Sequence, residues 1–329
     1  MAARDDLPCD FSLLWIAGST LATDESRMTV SSYRSALNPL AQWHALKRLL
    51  HRAPDVAIFS LWRSVPIALA LHLLRPRTRI VMFVHFDRST HLLDDWLTRL
   101  GVAIADEVWG DSASALAGRV GHRVKRQRKI SFVTSTLTPA VSSVPSPVPR
   151  FVLWARLNQQ KGIGRAIALI DALVARGIDA RFDVWGPDDG ELAKLQKDVG
   201  KRGLGERVRF RGIAERAMLP VIANEASFFL QPSIAEGMSM SCVEAMQFGL
   251  VPLVTAVGEM AHYVEPGRTG LILDPDDVAG DAEQVAKLLN DPAHYAAIRE
   301  QAIARWRDAP LYADDVCKAA RLLLNTPGA

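Results

Sequence analysis

Short apolar runs rich in β-branched and aromatic residues alternate with longer segments of helical periodicity along the whole chain. That rhythm predicts parallel strands joined by crossover helices, an α/β architecture. In the first half it predicts strands over residues 11–17, 55–61, 79–86, 107–110 and 129–134, with helices over residues 39–51, 65–74, 91–105 and 114–121. Residues 139–149 then carry four prolines among eleven positions, with serines between them, and such a stretch sustains neither a helix nor a central strand. The same rhythm restarts beyond it, with strands over residues 151–155, 180–185, 208–211, 226–231 and 251–255. Helices are predicted over residues 164–176, 191–200, 218–224, 240–248 and 281–289, and the tail from 292 to 324 reads as two more. The expected organisation is an N-terminal domain at 1–138, a Pro/Ser-rich linker at 139–150 and a C-terminal domain at 151–329 that includes the last helices. Two doubly wound domains of this kind leave a cleft between their sheet edges, and open α/β sheets bind ligands outside the C-terminal ends of their strands.

Composition narrows the picture. A chain of 329 residues exceeds what one compact core usually organises, in agreement with two domains. The longest apolar run, residues 65–74, is interrupted by His72 and falls short of the ~18 residues a bilayer span needs. Arg4, Asp5, Asp6 and Asp10 do not form the basic-then-apolar order of a secretory signal. Cys9, Cys242 and Cys317 lie far apart, without metal-ligand spacing or a disulfide framework, which fits a reducing cytoplasm. Charge is distributed unevenly: residues 1–150 carry a net +7 and the remainder a net −4. The basic half suits an anionic partner, with its local peak at Arg119, Arg123, Lys125, Arg126, Arg128 and Lys129. A solvated charged loop fits that peak as well, and it lacks the interleaved aromatics of a base-stacking surface.

Two segments carry candidate chemistry. Glu236-Gly-Met-Ser-Met-Ser-Cys-Val-Glu244 follows a predicted strand end at Pro232-Ser233, so Glu236 falls in the strand-to-helix loop and Glu244 about one turn into the helix. Between them the amides of Met238, Ser239 and Met240 lie where a helix start leaves N–H groups unpaired, an arrangement that binds phosphate. Eight helical residues span about 12 Å, roughly the reach of a diphosphate with a sugar at either end. Carboxylates so near a diphosphate must address hydroxyls, one on the transferred sugar and the other on the ribose. An ordinary surface helix start, where the dipole favours acidic residues, has the same pattern. The second segment, Phe151-Val-Leu-Trp-Ala-Arg156-Leu-Asn-Gln-Gln-Lys161-Gly162, runs a strand into a loop with two cations. Opposed to the helix start, Arg156 and Lys161 would neutralise a diphosphate and the charge that develops as it departs. Taken alone, two solvated loop cations fit it equally.

In their order along residues 151–275, these segments resemble the donor domain of glycosyltransferase family 4, retaining enzymes with a GT-B fold. Arg156, Lys161 and Gly162 match the family's Arg-x4-Lys-Gly loop, and Glu236 and Glu244 its Glu-x7-Glu motif. Ala245-Met246-Gln247-Phe248-Gly249-Leu250-Val251-Pro252 resembles the helix exit that follows, with one extra residue before the proline. Arg209-Phe210-Arg211-Gly212-Ile213 resembles the segment whose backbone meets the nucleobase, and Thr269-Gly270-Leu271-Ile272 a short strand after the site. His85, closing the predicted strand over residues 79–86, resembles the cleft histidine that contacts the transferred sugar; a satisfied core histidine is the plainer reading. Three features depart from the family. Ser239 stands where glycine is usual, His262 replaces a later glutamate, and Ala17-Gly18-Ser19-Thr20 is all that remains of a Gly-rich loop after the first strand.

The resemblance implies a GT-B chain of two Rossmann-like domains facing across a cleft. It implies a donor such as a UDP- or GDP-sugar, held by Arg156, Lys161, Ile213, Glu236, Met238, Ser239, Met240 and Glu244. Catalytic roles would fall to His85, Glu236, Arg156 and Lys161, with no metal and no cofactor. The acceptor would be a glycan or a lipid-linked molecule of bacterial-type glycan, glycolipid or lipopolysaccharide assembly. The enzyme would be cytoplasmic, with peripheral membrane contact through the basic domain and no nucleic-acid partner. A dinucleotide-dependent oxidoreductase is disfavoured, since no Gly-x-Gly-x-x-Gly follows the first strand. A non-catalytic GT-B partner subunit that binds nucleotide sugar or glycan is the remaining alternative.

Overall fold

The computed structural model describes residues 13–15, 28–30, 35, 37–85, 91–120, 126–139 and 148–326. The loop at 17–20, Phe86, Arg123, Lys125 and the middle of the Pro/Ser-rich stretch lie outside the described residues. The chain divides into two compact units, Met1–Thr134 with Pro310–Ala329, and Ser135–Ala309.

In the first unit β1 (Leu13–Trp15) and β2 (Met28–Val30) form a parallel pair. Helix α1 (Pro39–Arg52) starts where the Asn38 side chain accepts the Leu40 N–H at 2.9 Å and Pro39 pre-sets the first turn. Strands β3 (Val56–Ser60), β4 (Arg79–Val84), β5 (Glu107–Gly110) and β6 (Gln127–Lys129) form a parallel sheet in the order β3-β4-β5-β6. Helices α2 (Val65–Leu74), α3 (Leu92–Ile104) and α4 (Ala113–Val120) connect them. Strand β4 is apolar at nearly every position because both its faces are covered. Ile80, Met82 and Val84 join one core with Phe59, Leu71, Leu97 and Val108, while Val81 and Phe83 turn to the other with Trp109 and Ile130.

That second core is completed from the far end of the sequence. Helix α12 (Tyr312–Leu324) contributes Val316, Ala319 and Leu323 to it. The Tyr312 N–H donates to the Val133 carbonyl at 2.7 Å and the Ser131 N–H to the Asp315 carboxylate at 2.7 Å. The last helix therefore belongs to the first unit, which corrects its assignment to a C-terminal domain at 151–329. Its apolar stripe had to be buried somewhere, and periodicity does not say against which sheet. The same contacts explain why β6 spans Gln127–Lys129 instead of residues 129–134: beyond it the backbone turns to α12 for its hydrogen bonds. Cys317 on this helix is disulfide-bonded, where the spacing predicts no disulfide framework. Spacing along the chain does not report which thiols meet in space.

The second unit holds β7 (Arg150–Trp154), β8 (Arg181–Trp185), β9 (Val208–Gly212), β10 (Phe228–Gln231), β11 (Val251–Val254) and β12 (Leu271–Ile272). They form a parallel sheet in the order β12-β11-β10-β7-β8-β9. Helices α5 (Ile163–Ala175), α6 (Leu192–Lys201), α7 (Leu219–Asn224), α8 (Met240–Phe248), α9 (Met260–Tyr263), α10 (Val278–Leu289) and α11 (Pro292–Arg307) surround it. From β7 the order runs one way through β8 and β9, and from β10 the other way through β11 and β12. The switch point between β7 and β10 is where an open α/β sheet parts its crossover connections and admits a ligand.

Asp281, in the first turn of α10, is 5% exposed and accepts the Asp274 N–H at 3.0 Å. Burial, with Asp274 and Asp277 nearby, raises its carboxyl from 3.8 to about 6, against the pull of that N–H. Because the folded value lies above the unfolded one, stability is full below the unfolded value and is lost as pH rises through about 6. Asp281→Asn keeps the acceptor oxygen and removes the charge. It should raise the melting temperature at pH 7 by about 2–6 °C, with the difference closing near pH 4. Equal melting curves at pH 7 would refute this reading.

Candidate functional site

The loops that leave β7 and β10 at the switch point are stitched together residue by residue. After β7 the chain passes Arg156 and makes a 3-10 turn at Gln159–Lys161, ending on Gly162 with φ of 65°. A Cβ at Gly162 would sit 1.8 Å from the Pro232 carbonyl oxygen, so only glycine lets the two loops close. The Ile234 N–H donates to the Gln160 carbonyl and the Gln160 side chain to the Ala235 carbonyl, both at 2.8 Å. Lys161 Nζ lies 2.5 Å from Glu236 Oε1. The pair is largely buried, with side-chain exposures of 16% and 7%.

Glu236 is held from a second direction by side chains of β10 and its loop. Gln231 Nε2 donates to Glu236 Oε1 at 2.7 Å and Ser233 Oγ at 3.0 Å. Gln231 Oε1 in turn accepts from Ser239 Oγ at 2.9 Å and Ser241 Oγ at 3.0 Å. Ser239 precedes α8 in left-handed backbone, φ 49°, where the family's usual glycine would be unstrained. Its hydroxyl bond to Gln231 and the Tyr263 hydroxyl, which donates to the Met238 carbonyl at 2.8 Å, hold that conformation. Burial and the neighbouring Cys242 and Glu236 keep the Tyr263 hydroxyl well above its ordinary pKa, so it stays a donor. From the other side Gly258 closes on the loop: a Cβ there would lie 2.2 Å from the Glu236 carbonyl oxygen. The first backbone bonds of α8 run from Cys242 and Val243 to the Ser239 carbonyl, as expected for a helix whose earlier amides face outward from its ladder.

Glu244, on α8, has its own partners. Trp154 Nε1 at the end of β7 donates to one carboxylate oxygen at 3.2 Å, and Arg216 lies 3.5 Å from the other. Burial pushes its carboxyl above the usual glutamate value, opposed by the Arg216 charge and the indole N–H. Met238 is buried. Ile213, just past β9 and the positive-φ Gly212, is 68% exposed. Arg156 is 69% exposed and 3.8 Å from Asp189. The structure thus brings Lys161, Glu236 and Ser239 into one network through Gln231, with Met240 next along the chain and Glu244 one turn further, and leaves Arg156 and Ile213 exposed on neighbouring loops. The sequence reading missed Gln231, Ser233, Ser241, Trp154, Arg216 and Tyr263. The signal for Gln231 was a lone polar residue ending the apolar run Phe228-Phe-Leu-Gln231. A groove of about 560 Å³ beside α5 and α6 includes Gly162 and Ile234 but none of Lys161, Glu236 and Glu244.

His85 belongs to the first unit, directly after β4. Its Nδ1 lies 2.8 Å from Asp111 Oδ2 and its Nε2 2.8 Å from Ser60 Oγ. The Phe83 ring stacks on it at 4.7 Å.

Comparison with known structures fits this architecture. The structure of Anabaena Alr3699/HepE in complex with UDP superposes with a TM-score of 0.73, at 19% identity over 90% of this chain and 85% of that one. Two parallel-sheet units of this kind define a protein of the GT-B fold. The family model for Glycosyl transferases group 1 matches residues 137–305, and the chain belongs to that family. A GDP-mannose:cellobiosyl-diphosphopolyprenol alpha-mannosyltransferase of Xanthomonas oryzae pv. oryzae is 26% identical over 144 residues, 44% of this chain and 38% of that protein. A 2-deoxystreptamine glucosyltransferase of Streptomyces kanamyceticus is 26% identical over 265 residues, 80% of this chain and 62% of that protein. The chain thus spans less than two thirds of either relative.

Gln231 is fully buried and ties Glu236 to both serines. Gln231→Leu should cost about 3 kcal/mol, chiefly from removing a donor to a buried carboxylate. Urea denaturation measures it, and a loss below about 0.5 kcal/mol would show that the network carries no stability.

Proposed function

We propose that this chain is a retaining glycosyltransferase that moves a sugar from a nucleoside-diphosphate sugar to an acceptor hydroxyl. The observation that carries the reading is the Lys161–Glu236 pair at the switch point, set beside the start of α8. Lys161 and the amides of Met238, Ser239 and Met240 offer positive charge and donors to a diphosphate. Glu236 and Glu244 offer acceptors to hydroxyls on either side of it. UDP in the Anabaena relative and the GDP-mannose of the Xanthomonas enzyme's name support this donor class.

The geometry suits a reaction run by positioning and electrostatics. When the diphosphate enters, Lys161 exchanges its carboxylate partner for phosphate oxygens, and Glu236 is released toward the sugar. As the glycosidic bond breaks, the charge gathering on the diphosphate meets Lys161, Arg156 and the helix amides. The departing diphosphate takes the acceptor's proton on the face from which it leaves, so configuration is retained. Protein groups supply the neutralisation, and no metal is assigned a step. A non-catalytic subunit would bind the nucleotide sugar by the same contacts and release no nucleotide.

Lys161→Ala should weaken UDP or GDP binding by about 1.5–3 kcal/mol, the range for charge-assisted hydrogen bonds. Arg156→Ala, starting from an exposed position, should do less. Glu236→Gln leaves Lys161 without its carboxylate, so nucleoside-diphosphate affinity should hold or rise while nucleotide release from the full donor falls. Glu244→Gln should lower affinity for both. Calorimetry gives the affinities, and nucleotide release from a panel of UDP- and GDP-sugars, run with EDTA, gives the turnover. Equal loss of nucleoside-diphosphate affinity in the two glutamate variants would sink the division of roles.

The proposed acceptor is presented at an anionic membrane surface, as a lipid-linked or lipopolysaccharide-type glycan. Within the first unit's basic peak Arg119 pairs with Asp94 and Arg128 with Glu107, which leaves these two less to offer a membrane. Helix α1 offers a further face for the contact, since Leu40, Trp43, Lys47, Arg48, His51 and Arg52 are exposed at helical spacing on one face. No helix among the described residues is long and apolar enough to cross a membrane. Tryptophan favours the interfacial zone, and each basic residue near an anionic leaflet contributes about 1 kcal/mol. Co-sedimentation with anionic vesicles at low salt should be strong in the parent and lost in a Trp43→Ala/Lys47→Glu/Arg48→Glu variant. Equal sedimentation with anionic and neutral vesicles would leave a soluble acceptor as the reading.

A further inference from the structure

Ser60, His85 and Asp111 stand at the C-terminal ends of three neighbouring parallel strands. Ser60 closes β3, His85 follows β4 and Asp111 follows β5, and the registers pair Ser60 with Phe83 and Val84 with Gly110. Both imidazole nitrogens are engaged at 2.8 Å, Nδ1 by Asp111 Oδ2 and Nε2 by Ser60 Oγ. An ionised carboxylate only accepts hydrogen bonds, so the proton between Asp111 and His85 lies on Nδ1. A ring with its single proton there has its lone pair at Nε2, and the Ser60 hydroxyl donates to it. The plane of the ring is fixed by Phe83, stacked at 28° between planes. Asp111 Oδ1 is buried with no hydrogen-bond partner, so the cluster has acceptor capacity to spare. Ser60 itself is exposed, and the turn beyond it is held in a strained shape, with Leu61 at φ 66° and Ser64 Oγ donating to the Ser60 and Leu61 carbonyls.

We propose that Asp111 is a positioning residue that fixes His85 as the Nδ1–H tautomer, so that Nε2 accepts a hydrogen bond from a substrate hydroxyl at the place the Ser60 hydroxyl occupies here. Exchanging one O–H donor for another leaves the ring satisfied, whereas a phosphate or carbonyl oxygen brings no proton and leaves Nε2 unpaired. The site therefore favours a hydroxyl over these groups, which rests on the sugar-transfer reading only in supplying one. Without Asp111 the ring is free to carry its proton on Nε2, and that nitrogen would then donate to the hydroxyl oxygen and turn the hydroxyl's own proton away.

The test separates the tautomer from the turnover. Long-range ¹H–¹⁵N spectra of the full chain labelled with [¹⁵N]histidine, with His85 assigned from a His85→Gln variant, should show Nδ1 protonated and Nε2 bare. In Asp111→Asn the amide N–H₂ donates to Nδ1, and the proton should move to Nε2. Parent chain with Nε2 protonated, or an unchanged pattern in Asp111→Asn, would overturn the proposal whatever the enzyme's substrate. With whichever nucleotide sugar supports nucleotide release, Asp111→Asn should lower kcat by about tenfold or more while nucleoside-diphosphate affinity stays unchanged. Asp111→Glu should restore part of it. Ser60→Ala removes the competing hydroxyl and should lower KM. Loss of turnover in Ser60→Ala, or covalent capture of Ser60 by a fluorophosphonate, would make Ser60 a reacting group and overturn its role as occupant.

Discussion

One carboxylate oxygen organises the second unit's site. Glu236 Oε1 accepts from Lys161, Gln231 and Ser233, so the loop after β7 and the loop after β10 are fastened at a single point. Most of the surrounding chemistry follows from that junction. Gly162 must be glycine so that the loops approach closely enough to make it, and Ser239 is held in left-handed backbone by the residue that also holds Glu236. A buried ion pair adds little net stability, because desolvation offsets its attraction. In the proposed reaction its value lies in readiness. A lysine stored against a carboxylate keeps its position, and an incoming anion would need only to replace one partner with another.

Much of this was legible before any coordinate. Strand runs such as Phe151–Trp154 and Phe228–Leu230 announce a parallel sheet by being apolar throughout, and a strand leading to two cations and glycine locates a loop at its C-terminal end. Order along the chain also told that Arg156, Lys161, Glu236 and Glu244 share a unit. It did not tell which of them touch. Lys161 and Glu236 are 75 positions apart and meet only because β7 and β10 are neighbours at the switch point. Gln231, the partner of Glu236 and of Ser239 and Ser241, carries no motif, and its role exists only once the loop after β10 is folded. Trp154 reads as a core aromatic and packs as one against Phe229 and Phe248, yet its indole N–H also serves Glu244.

Charge was the least reliable guide. Counting residues makes the first half basic, and the count is correct, but it treats every arginine as surface. Folding pairs some with buried carboxylates that are distant in sequence: Arg119 with Asp94, and Arg128, itself half-exposed, with Glu107. Among the described residues the exposed cations include a set on α1, interspersed with tryptophan and leucine. A net charge therefore describes the composition of a domain, while the field outside it depends on which charges the fold has already neutralised.

The return of α12 to the first unit has a consequence for how this protein is made. Val81, Phe83, Trp109 and Ile130 wait for Val316, Ala319 and Leu323, which lie nearly two hundred residues or more downstream. A ribosome delivers the second unit whole before it delivers that helix. Domains generally fold as units in order of synthesis, but here the unit begun first is finished last. Until then Val81, Phe83, Trp109 and Ile130 lack that part of their apolar cover, so the nascent chain has most need of a chaperone at the half already outside the ribosome.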